Sequence, residues 1–177
     1  MSNIVDSVIN GVRIQTGREV KAKIQADRTG AVALPNYHTR VEWTSAYETK
    51  TSLKNKTVIV GDEPAVYGGQ GLGASPQELL LTSIGNCLIA TFVGGLSAAG
   101  VTIKKLTVDV SGKVNFLAAF GVEKGHPGFL GIVANVNIQT DRDQNEVEVL
   151  MQRLYPTAPI PATILQPTPI ELIFRHD

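Results

Sequence analysis

Residues 71–90 read GLGASPQELLLTSIGNCLIA. A glycine-rich loop runs into an apolar stretch that holds the only cysteine of the chain, Cys87. Ser75-Pro76-Gln77-Glu78 is a helix start. Serine suits the N-cap, proline the first helical position, and Glu78 the place of a capping-box carboxylate. The helix continues through LLLTSIGNCLIATFVGGLSAA and stops at Gly100. It is apolar almost all round, the mark of a buried helix. Gly85, Gly94 and Gly95 each weaken it by roughly 1 kcal/mol relative to alanine, which implies that another backbone packs close by.

Outward from this helix, the N-terminal side reads as strands. RVEWTSAYETKTSL predicts one long strand with Val41, Trp43, Ser45 and Tyr47 on one face. KTVIV predicts a short apolar strand, and GDEPAVYGGQGLG a loop with a short strand at AVY. Residues 3–28 read as weakly helical, punctuated at Asn10-Gly11, with VRIQTGREVKAKIQA as an amphipathic helix.

On the C-terminal side, VTIKKLTVDVSGKV and GIVANVNIQT alternate as strands. The NFLAAFGVEKGHPGFL between them reads as an irregular excursion. A second helix is expected over about 143–155, where Val147, Leu150, Met151 and Leu154 make one stripe and Pro156 ends it. Asp141 and Asp143 read as caps of its start. PTAPIPATILQPTP is a Pro-rich connection, and IELIF a closing strand. Strands, buried helix, strands, helix and strand in that order favour an α+β fold over a doubly wound sheet.

Composition narrows the function. With 177 residues, 43% hydrophobic and 18% charged, the chain can build a core. Sixteen basic residues balance sixteen acidic ones with no basic run, which argues against nucleic acid as partner. No secretory leader is read at the N-terminus, and no apolar run is read as approaching the roughly 18 residues of a membrane span. The expectation is a cytoplasmic protein with no membrane association. His38, His126 and His176 lie far apart and form no ligand pattern, so neither a metal nor another cofactor is expected. GGQGLGAS before a helix has the look of a phosphate cradle. It lacks a P-loop lysine and a well-placed acidic residue after a second strand, so the glycines read better as a sharp turn.

Cys87 can be read two ways: as a buried thiol acting as a small hydrophobe, or as a nucleophile activated by a nearby cation. It lies about 16 Å past the helix start, where the dipole helps little. Arg40 is the only arginine between residues 29 and 141 and so the candidate donor. Glu78 lies about 180° round the helix from Cys87, better placed to cap, and Gln77 about 80° away.

GASPQELLLTSIGNC resembles the signature of the OsmC/Ohr family, the osmotically inducible protein C and organic hydroperoxide resistance proteins. Cys87 follows Pro76 by eleven residues, as that signature requires. RVEWTSAYETK is similar to the family's first long strand. GLSAAGVTIKKLTVDVSGKV looks like its helix-to-strand passage, and RLYPTAPIPATILQPTPIELIF like its closing segment. HPGFLGIVANVNI and the N-terminal NGV segment resemble a single-cysteine branch with a helical N-terminal extension. The resemblance divides the chain into an extension, 1–37, and an OsmC-like domain, 38–177.

The resemblance implies an intertwined homodimer of curved antiparallel sheets around long buried central helices. It implies a thiolate at Cys87 that attacks a hydroperoxide, polarised by Arg40. The carboxylate that holds the arginine directly follows the proline in the family; here Gln77 stands there and Glu78 comes one residue late. The resolving cysteine falls in a Cys-Pro-hydrophobic motif that here reads Ala158-Pro159-Ile160. Two functions stay open. One is a one-cysteine thiol peroxidase that reduces organic hydroperoxides with an external thiol. The other is a non-catalytic protein that binds an apolar small molecule at the dimer-interface pocket.

Overall fold

The computed structural model describes residues 7–166 and 168–175. The chain forms two compact units, residues 1–82 and 83–177. His176 lies outside the described residues, as do residues 3–6 of the expected N-terminal helical stretch.

In the first unit, β1 (Val8–Ile9) and β2 (Val12–Arg13) form a small antiparallel hairpin. Asn10 and Gly11 turn it, with φ of 53° and 78°, the positive pair that a two-residue hairpin requires. The hairpin replaces the helical character expected there, and Val12 and Arg13, expected in the amphipathic helix, belong to β2; helix α1 (Ile14–Ala26) takes up the rest of that stretch, with none of its residues buried. Next come β3 (Arg40–Ser45), β4 (Glu48–Ser52) and β5 (Val58–Gly61), an antiparallel sheet in the order β3-β4-β5.

The expected single strand RVEWTSAYETKTSL is therefore a hairpin. The register slips between Trp43 and Ser45, and Ala46 turns with φ of 45°. The Trp43 indole N–H donates to the Ala46 carbonyl at 3.0 Å, stapling the turn. Val41 and Trp43 consequently no longer share a strand face with Tyr47. Likewise, the AVY segment is a 3-10 turn, Ala65–Tyr67, not a strand. Pro64 precedes it, and the Tyr67 N–H closes it on the Pro64 carbonyl.

The glycine-rich loop is pinched shut before the helix. Ala74 bridges Gly61 in parallel, through Asp62 N–H to Ala74 O and Ala74 N–H to Val60 O, each 3.2 Å. Helix α2 (Pro76–Ala98) then begins on the expected capping box. The Glu78 carboxylate accepts from Ser75 N–H at 2.7 Å and from Ser75 Oγ at 2.9 Å, and Glu78 N–H donates back to Ser75 Oγ. At the far end Gly100, with φ of 75°, lets Val101 N–H reach back to the Leu96 carbonyl, a glycine-terminated stop. By length and composition α2 could cross a membrane, which corrects the expectation that no apolar run comes near that length. Its serines, threonines, asparagine and glycines interrupt the apolar run.

The second unit holds the core. Ile84, Leu88, Phe92 and Leu96 of α2 are buried, together with Val101, Val147, Met151 and Ala158. Strands β6 (Ile103–Val114) and β7 (Phe129–Thr140) pair antiparallel. Leu106, Val108 and Val110 stand opposite Ile138, Val136 and Ala134 on one face, and Thr107 and Asp109 opposite Asn137 and Asn135 on the other. The α2 glycines do not mark a closely packed backbone as expected: a β-carbon on Gly85 would make ordinary contact with Val110, one on Gly94 would meet nothing, and only at Gly95 would it collide, with the Leu154 side chain. The excursion between the strands includes the short helix α3 (Phe116–Ala119), capped by Asn115.

Helix α4 (Gln144–Leu154) matches the second predicted helix, and Asp143 caps it by accepting from Asn145 and Glu146 N–H. Asp141 does not cap. It accepts from Thr102 N–H at 2.8 Å and ties the start of β6 to the end of β7. A 3-10 turn at Tyr155–Thr157 follows. The Pro-rich segment then forms helix α5 (Pro159–Leu165), which the sequence reading missed. Its prolines fall in the first turn, where the absent N–H groups would have no helical partner anyway. The expected closing strand IELIF is not a strand; residues 168–175 carry no regular structure.

Candidate functional site

Cys87 sits in the middle of α2 and is half-buried. Its Sγ accepts from the backbone N–H of Ile160 at 3.4 Å, the first turn of α5 resting against it. Ala158, two residues earlier, is fully buried. The tertiary fold thus brings together Cys87 and the Ala158-Pro159-Ile160 segment, 73 residues apart in sequence for the contacting pair. A backbone N–H aimed at sulfur orients it, and bonds more strongly to a thiolate than to a thiol.

The other expected site residues lie in the first unit. Arg40 opens β3 and is 77% exposed, its guanidinium 3.0 Å from Glu42 in an ion pair of the surface kind. Gln77 is half-buried in the first turn of α2. Beside it, Glu78 spends its carboxylate on Ser75. Those bonds, the backbone one first, hold the Glu78 carboxyl below the usual carboxylate range.

Two features have no counterpart among the expected site residues. The first is Asp62, only 3% exposed. Its carboxylate accepts from Glu63 N–H at 2.8 Å and from Gln70 and Leu72 N–H at 3.0 Å each, which folds the glycine-rich loop around one side chain. The Leu72 bond is foremost in lowering its carboxyl value, against a smaller opposing push from burial. In the same loop, a β-carbon on Gly73 would collide with the Val60 carbonyl. The glycines serve close backbone approach, as the turn reading expects. Asp62 in GDEP was legible only as a loop residue, because its partners lie 8 and 10 residues on.

The second feature is a cavity of about 660 Å³ within the second unit. Ile84, Leu88 and Phe92 form one wall, and the alternating Ile132, Ala134, Val136 and Ile138 of β7 another. Met151 of α4, Tyr155 of the 3-10 turn and Pro161, Ile164 and Leu165 of α5 complete it, and Gln144, Glu148 and Gln152 of α4 sit along one side. Cys87 is not among the lining residues, though its neighbour Leu88 is. Among the described residues no group of three or more His, Cys, Asp or Glu side chains could hold a metal ion.

Comparison with known proteins agrees with this architecture. An OsmC-like protein from Mycoplasma pneumoniae has a similar fold, with a TM-score of 0.64 at 19% identity over 75% of this chain and 89% of that one. An OsmC-like protein of unknown function from Vibrio cholerae gives 0.62 at 11% identity, over 73% and 94%. An organic hydroperoxide resistance protein OsmC from Legionella pneumophila gives 0.56 at 16% identity, over 72% and 89%. No curated protein matches the chain. The family model described as OsmC-like protein matches residues 69–173, more than half of the 177, from the glycine-rich loop through both central strands to the C-terminal segment. The chain belongs to the OsmC-like protein family.

Proposed function

We propose that this protein is a one-cysteine thiol peroxidase that reduces organic hydroperoxides at the expense of an external thiol. The observation that carries the reading is the Ile160 N–H donated to Cys87 Sγ, which gives the only thiol of the chain an oriented donor. The Cys87 thiolate attacks the terminal oxygen of a hydroperoxide. The O–O bond breaks, the alkoxide leaves and takes a proton, and Cys87 is left as sulfenic acid. With Ala158 where a resolving thiol would be, a small external thiol condenses with the sulfenic acid and releases water. A second equivalent of that thiol then returns Cys87 to the reduced state and leaves as a disulfide. The acting form is a homodimer, supported by the wholly exposed strand β3 and the exposed apolar residues of 170–174.

The test is one equivalent of cumene hydroperoxide added at neutral pH, with a sulfenic-acid trap and intact-mass readout, on wild type and Cys87→Ser. Wild type should trap far faster than a free thiol control, and the variant not at all. Trapping no faster than the free thiol would end the peroxidase reading.

The cavity favours a second reading, in which the protein binds an apolar small molecule without chemistry. Its size falls within the roughly 300–1,000 Å³ typical of small-molecule sites, and its walls are mainly apolar. Under this reading Cys87→Ser leaves affinity unchanged.

A further inference from the structure

The charge on the cavity is one-sided. Helix α4 places Gln144, Glu148 and Gln152 at four-residue spacing, so the three share one edge of the opening. The Gln152 amide donates to the Glu148 carboxylate at 3.2 Å, which holds that carboxylate along the edge. Among the described residues no lysine, arginine or histidine lines the cavity, so Glu148 is its one charged wall residue. Everything opposite is aliphatic or aromatic, supplied by α2, β7 and α5.

We propose that the cavity is a binding site for a single-chain aliphatic amine, its alkyl chain against Leu88, Phe92, Val136 and Ile164 and its ammonium at Glu148. This rests on the binding reading above and adds the head-group chemistry. An ammonium brings three donors to an edge that offers a carboxylate and two amide oxygens. A carboxylate head of the same length meets a like charge and no cation. An alcohol brings one donor and no charge, so its attraction to that edge is weaker than an ammonium's and carries no like-charge penalty. The chain supplies affinity, about fourfold per buried methylene, and Glu148 supplies selection. Because Glu148 is exposed to solvent, that selection is modest and salt-dependent.

The experiment uses the full chain and three probes of equal length below their micelle concentrations: dodecylamine, dodecanol and dodecanoate, titrated by calorimetry. Dodecylamine should bind about tenfold more tightly than dodecanoate at low ionic strength, with dodecanol between, and the spread should narrow in high salt. Glu148→Gln, a surface change, should bring dodecylamine to the affinity of dodecanol while leaving dodecanol where it was. Ala134→Phe should remove binding of all three by filling the cavity, its folding checked by circular dichroism. Dodecanoate binding as tightly as dodecylamine, or an unchanged order in Glu148→Gln, would overturn the head-group inference and leave the binding reading standing. Absence of saturable binding by any probe, as when a second copy of the chain fills the cavity, would overturn both.

Discussion

Asp62 shows what one side chain can organise. Three backbone N–H groups, on Glu63, Gln70 and Leu72, converge on its two oxygens and fold the loop around it. Those bonds hold its carboxyl below the ordinary value, so the folded state binds that proton less readily than the unfolded state. The resulting stability is fully present above the unfolded value of about 4, and is lost as pH falls through the lower folded value. Asp62→Asn turns a donor toward N–H donors and removes the charge. It should lower the melting temperature above about pH 5, and the gap to wild type should close as pH drops below about 4. Thermal melts of both proteins across that range check the sign. Cys87 is the opposite case: its partner, Ile160 N–H, is a backbone group with no side-chain signature, so no inspection of residue types could have found it.

At the scale of elements, two local geometries carry sharp expectations. The neck of the glycine-rich loop needs Gly73, because a β-carbon there meets the Val60 carbonyl, a backbone atom that cannot swing aside. Gly73→Ala should cost about 1–3 kcal/mol in denaturant unfolding. Helix α5 is the second. It lies against Cys87, and Ala158 at its N-cap is buried. Ala158→Cys should therefore restore a resolving thiol: peroxide treatment should join Cys87 to the introduced thiol as a disulfide, read as the loss of two hydrogens by intact mass. A stable sulfenic acid in that variant would show the two positions to be out of reach. Helix α5 also marks a limit of pattern reading. Prolines in PTAPIPATIL signal a break when counted, yet in a first turn they fit. The α2 start, by contrast, was legible to the residue, since the capping box is local chemistry between Ser75 and Glu78.

For the whole molecule, the exposed apolar surface sets the expectation. Trp43 is 73% exposed, all of β3 is exposed, and Ile170 and Phe174 are bared in the C-terminal segment. Strands β6 and β7 pair only with each other among the described residues, so each keeps an open edge, a template for further pairing. Light scattering should give about twice the monomer mass. Because Trp43 is the only tryptophan, its emission should shift to the blue as dilute protein is concentrated into dimers. Truncation after residue 167 should weaken the assembly; an unchanged mass and emission would assign the exposed strands no partner copy. The sequence by itself determined what depends on near neighbours: the α+β order, the α2 cap and its glycine stop, the stripe of α4, and the OsmC-like signature around Cys87. Only the tertiary structure decided that the 40–53 stretch doubles back, that Ala158-Pro159-Ile160 meets Cys87, and that β7 and α4 enclose a cavity with Glu148 on its edge. Those depend on turns, backbone donors and packing between segments far apart in the chain. Residue spacing carries the first kind of information and not the second.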